Sequence, residues 1–73
     1  MKTSDEWHAQ VKGILRAEMT RRGVTYDGLV EKLAAIGVED NARNLRNKVS
    51  RGNFSAVLLV QCLEAMKCKD LRL

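Results

Sequence analysis

No proline occurs anywhere in the 73 residues, and the only strong breakers are the five glycines at 13, 23, 28, 37 and 52. Proline removes an amide donor and clashes with the preceding turn, so without it each helical pattern runs to its own cap. Gly23, Gly37 and Gly52 each follow an apolar pattern of helical period, where a left-handed residue closes a helix. Sustained period-two alternation is missing, and Asp27-Gly28 falls inside a helical pattern rather than between two apolar runs. The fold class expected is all-α.

The spacing predicts helices at about 4–22, 25–36, 41–51 and 55–66. Thr3 and Glu6 form a capping box for the first, and Trp7, Val11, Ile14, Leu15 and Met19 recur at three and four as its apolar stripe. Trp7 is expected to anchor that helix in the core. Thr25 caps the second, with Leu29, Val30, Leu33 and Ile36 inward. Asp40 or Asn41 caps the third, whose inward residues are Ala42, Leu45 and Val49, and Ser55 caps the fourth. Gly13 and Gly28 lie inside helical patterns at a cost of about 1 kcal/mol each against alanine, which close approach of a neighbouring helix would explain. Leu71-Arg72-Leu73 reads as a short extended segment.

A chain of this length makes one compact four-helix domain over 1–73 and buries only ~60% of its unfolded surface. The fourth segment bears on that shortage. Ala56-Val57-Leu58-Leu59-Val60 and Cys62-Leu63 are apolar on nearly every face, and a helix apolar all round must be covered all round. Either it is the central helix of the monomer or its outer face meets a second copy. Val57, Leu59, Val60 and Leu63, with Leu71 and Leu73 of the tail, are the candidate residues for a homodimer.

No run of ~18 apolar residues is present, so no membrane span is expected. The acid-bearing start Met1-Lys2-Thr3-Ser4-Asp5-Glu6 does not read as a signal peptide, and the cytoplasm is the expected location. Cys62 and Cys68 would then be reduced thiols. Metal binding takes about four ligands, and His8 is the only further candidate, so neither metal nor cofactor is expected. There is no Ser/Cys–His–Asp set and no phosphate loop, which argues against an enzyme.

The formal charge of +4 is concentrated. Residues 1–39 hold six bases and six acids, whereas 40–53 hold Arg43, Arg46, Lys48 and Arg51 against Asp40 alone. With Ala42, Leu45 and Val49 inward, Asn41, Arg43, Asn44, Arg46, Asn47, Lys48 and Arg51 face solvent. Guanidinium forks suit guanine edges and phosphates, asparagine can pair bidentately with adenine, and lysine contacts phosphate. Double-stranded DNA is the partner this face suits. An ordinary solvated face, or one meeting an acidic protein, is the alternative. The three aromatics, Trp7, Tyr26 and Phe54, are too few for a single-strand stacking platform.

Arg22-Gly23-Val24-Thr25-Tyr26 through Leu33 resembles the opening of the phage-repressor-like (Xre-type) helix-turn-helix, and Leu45 to Gly52 resembles its recognition helix with a closing R-G. Phe54-Ser55 through Ala65 resembles the helix that follows. More narrowly, the whole chain is similar to a small bacterial family of unknown function with R-R-G-V-T-Y, N-L-x-N-K-x-S-R-G-x-F-S and Q-C-L-E-A motifs. The Xre-type resemblance implies a transcriptional regulator acting by occupancy. Thr25 and Tyr26 would touch phosphate, Asn41, Arg43, Asn44 and Asn47 base edges, and Lys48 and Arg51 would flank the groove. The rival expectation is a module of the same fold that binds a protein, such as an adaptor or inhibitor from a mobile element.

Overall fold

The computed structural model describes residues 1–70 and contains four α-helices in chain order: α1 Ser4–Arg21, α2 Tyr26–Ala35, α3 Ala42–Arg51 and α4 Ala56–Ala65. The domain is all-α, as the punctuation predicts. Leu71 and Leu73, with the extended segment expected there, lie outside the described residues. Among the described residues no helix is long and apolar enough to cross a membrane.

Every helix starts on a side-chain cap. Thr3, Thr25, Asn41 and Ser55 each accept a hydrogen bond from the amide three residues on, which satisfies a donor the helix leaves free. At α1 the box is reciprocal, since the Thr3 amide also donates to Glu6 Oε1 at 3.3 Å. Of the two candidates for capping α3, Asn41 is the cap.

Three ends use one closure. After α1, α2 and α4 a left-handed residue is followed by an apolar one whose amide reaches back five residues. Val24 donates to Met19 O, Val38 to Leu33 O and Cys68 to Leu63 O, at 2.8 to 2.9 Å. Gly23 and Gly37 supply the positive φ at the first two, but Lys67 supplies it at the third, with φ 60°.

α2 packs on α3 and α4, and α1 packs on the same two, whereas α1–α2 and α3–α4 are not packed pairs. Leu15 of α1, Leu29 and Leu33 of α2, Leu45 and Val49 of α3 and Cys62 of α4 meet in the centre with no exposure. Val24, Tyr26, Val30, Val38, Phe54, Leu59 and Leu63 pack around them.

Some expectations are corrected. Trp7 is not a core anchor: it is 52% exposed, with Lys2 Nζ 4.7 Å from its ring centroid. Residues Ser4–Trp7 of the first turn are all exposed, and the close packing of α1 on the end of α3 begins only at His8, against Gly52. Ile36 does not face inward either. It is the C-cap of α2, outside helical φ/ψ, and Val38 turns back onto Leu33 in its place. No neighbouring helix approaches Gly13 or Gly28. A Cβ on Gly13 would meet open space, and one on Gly28 only Thr25 and Val24 of its own cap. Close packing occurs instead at Gly52, where a Cβ would lie 2.4 Å from the His8 carbonyl oxygen.

Candidate nucleic-acid interface

α3 carries no acidic residue, and its orientation is fixed by Leu45 and Val49, both fully buried. At about 100° per residue, these two place Asn47 opposite the core. Arg43 and Ser50 lie to one side of Asn47, and Asn44 and Arg51 to the other. All five side chains are exposed, and none belongs to an ion pair among the described residues. The ridge is a row of guanidinium, amide and hydroxyl groups. Gly52, left-handed with φ 64°, ends it against α1, where Lys12 Nζ donates to Ser50 O at 3.3 Å.

The other expected site residues divide by what holds them. Asn41 is exposed, but its Oδ1 accepts from the Asn44 amide at 2.8 Å, so its side chain serves the helix end. Lys48, on one flank, pairs with Asp40 Oδ2 at 3.0 Å, while Asp40 Oδ1 accepts from the Asn41 amide. Burial pushes the Asp40 carboxyl up, but the hydrogen bonds from Lys48 and that amide outweigh it and hold the group below its ordinary value. Arg46, on the opposite flank, stands with its guanidinium carbon 5.5 Å from the Tyr26 ring centroid, within cation–π range. Tyr26 is half-buried against the core, and Thr25 accepts from the Gly28 amide at 3.1 Å as the cap of α2.

A groove of about 440 Å³ opens at the corner between α1 and α2. Its floor includes Met19 and Val24, and Arg16, Thr20, Tyr26 and Arg46 stand around it. Arg16 was not among the expected site residues, because the balanced charge of residues 1–39 conceals it. Its signal is the column Lys12, Arg16, Thr20, four apart on α1.

The candidate dimer residues separate in the same way. Leu59 and Leu63 are half-buried against the core, while Val57 and Val60 are 65% and 61% exposed beside Ala56 and Gln61. Cys62 lies on the core side of α4 with Leu58 and Ala65, and burial first, then the Asp40 charge, pushes its thiol up to about 11.

Fold and surface together define a small four-helix domain that displays one basic, acid-free helix. The family model described as "Domain of unknown function (DUF6471)" matches residues 7–71, and the chain belongs to that family. No curated protein and no solved structure matches it.

Proposed function

We propose that this domain binds double-stranded DNA with α3 in the major groove, as a small transcriptional regulator of helix-turn-helix type. One observation carries the reading: the side of α3 opposite the core holds Arg43, Asn44, Asn47 and Arg51 exposed and outside any ion pair among the described residues. A groove ~12 Å wide admits one helix, and these are the groups that read its base edges. The link from α2 to α3, residues 36–41, contains Gly37 and is longer than the three or four residues usual for the motif.

Fluorescence anisotropy with a mixed-sequence duplex at about 50 and 200 mM salt tests this. Counterion release makes affinity fall with salt at a log–log slope of roughly −0.9 per phosphate contacted. Arg43→Ala with Arg51→Ala should weaken binding and flatten the slope. Absence of duplex binding by the unaltered protein overturns the reading in favour of an acidic protein partner. The exposed Val57–Val60 patch supports pairing of two copies, which would present two copies of α3 to two half-sites. Light scattering should then give twice 8.2 kDa, and Val60→Asp should give the monomer.

A further inference from the structure

We propose, resting on the duplex-binding reading above, that the groove at the α1–α2 corner receives one phosphate of the DNA backbone and that Arg16 of α1 binds it. Gly52, the C-cap of α3, lies against His8, and the Ser50 carbonyl accepts from Lys12. One turn further along α1, Arg16 lines the same groove as Arg46. α1 therefore runs antiparallel beside α3, and Arg16 stands level with the middle of α3 on its Arg46 flank. A helix lying in the major groove has phosphate backbones along its flanks, so a base placed there meets phosphate rather than base edges.

The groove has the chemistry for that ligand. Arg16 has no hydrogen-bond or ion-pair partner among the described residues, and the Tyr26 ring faces the Arg46 guanidinium. The start of α2 adds the positive end of its dipole. Asp27 is the single acid on the rim, so two guanidiniums face one carboxylate. A guanidinium fork matches two phosphate oxygens. The neighbouring basic cluster at the end of α1, Arg21, Arg22, Lys67 and Lys69, lacks this property. Its two arginines are both held by the buried Glu18, and Asp70 stands among them. On the far flank of α3, Lys48 is held by Asp40. The grip on the duplex is thus one-sided, with the tighter strand on the α1 side.

The test is the salt slope of duplex affinity for the unaltered protein, Arg16→Gln, Arg16→Lys and Lys32→Ala, each checked for fold by its thermal melt. Arg16→Gln should flatten the slope by about 0.9 and weaken unrelated sequences equally. Arg16→Lys should restore the slope. Lys32→Ala removes the same charge from the exposed last turn of α2 and should leave the slope near that of the unaltered protein. If Arg16→Gln keeps the full slope, or Lys32→Ala flattens it as much, the groove is not a phosphate site although DNA binding stands. If the unaltered protein binds no duplex, the parent reading fails and this proposal falls with it.

Discussion

Lys48 Nζ lies 3.0 Å from Oδ2 of Asp40, a pairing that reaches from the second turn of α3 back to the loop before its cap. The only acid of residues 40–53 therefore holds one of the four bases that give this stretch its charge. The Asp40 carboxyl is largely covered, but the Lys48 end is about half exposed and screened by solvent, so the pair stabilises by roughly 1 kcal/mol at most. Asp40→Asn should cost little stability, since asparagine can still accept from the Asn41 amide. It should tighten duplex binding severalfold and steepen the salt slope, because a carboxylate disappears and an ammonium is released. Anisotropy measures both, and an unchanged slope would show that Lys48 stands away from the duplex.

Three backbone substitutions should separate in sign. Gly52→Ala forces a Cβ to within 2.4 Å of the His8 carbonyl at a φ of 64°, so it should destabilise by well over ~1 kcal/mol. Gly13→Ala fills open space inside α1 and should stabilise by ~0.4–1 kcal/mol. Lys67→Gly relieves a left-handed lysine and should stabilise by ~1 kcal/mol. Urea titrations rank the three; a destabilising Gly13→Ala would mean that the α1 surface is covered in solution.

Acid should act through the two carboxyls held below their ordinary values, Asp40 and, paired with two arginines, Glu18. The Arg21 hydrogen bond lowers the Glu18 carboxyl below the ordinary 4.5 against the opposing effect of burial, and Arg22 lowers it further. A carboxyl with a lowered folded-state value contributes stability that is complete above about 4.5 and is lost as pH falls through the lower folded value. The melting temperature of the unaltered protein should therefore fall more steeply with acid than that of Glu18→Gln, the two converging at low pH. Parallel curves would rule Glu18 out as an acid-sensitive group.

The two cysteines should differ in reactivity. Cys62 is fully buried with its thiol pushed up to about 11, whereas Cys68 is only half-buried beyond the end of α4. The thiolate is the reacting form. At about pH 8 an alkylating reagent should modify Cys68 first, and Cys62 only as the domain opens. Peptide mass spectrometry follows the order, and equal rates would show that the core opens readily.

The caps of α1, α2 and α4 and the glycine ends of α1, α2 and α3 were legible in the sequence because each depends on residues close by in the chain, while the cap of α3 was narrowed to Asp40 or Asn41. Thr3 with Glu6, Thr25 and Ser55 needed no knowledge of the rest of the chain, whereas the choice of Asn41 over Asp40 came from the structure. What depended on tertiary placement was not legible. Trp7 fits the apolar stripe of α1, but the stripe carries no information on how far α3 and α4 extend beneath it. Arg16 sits in a stretch of zero net charge and gains its place only because α1 lies antiparallel beside α3. Lys67 in a left-handed conformation has no signal, since the residue there is neither glycine nor asparagine. The outward set of α3 was legible from Leu45 and Val49, but not its division into a solvent ridge, an aromatic-backed flank and a flank held by Asp40.

The packing of α1 and α2 exclusively on α3 and α4 makes residues 36–41 a seam. On one side lies a pair of helices that do not pack on each other, and on the other side a second such pair. Neither half holds a core of its own, so a chain emerging from synthesis gains almost no packing until α3 has followed α2 out. A cut within the seam would leave two fragments, each unfolded alone, whose reassociation regenerates the entire interior; the domain is in that sense a heterodimer of its own two halves, joined by six residues.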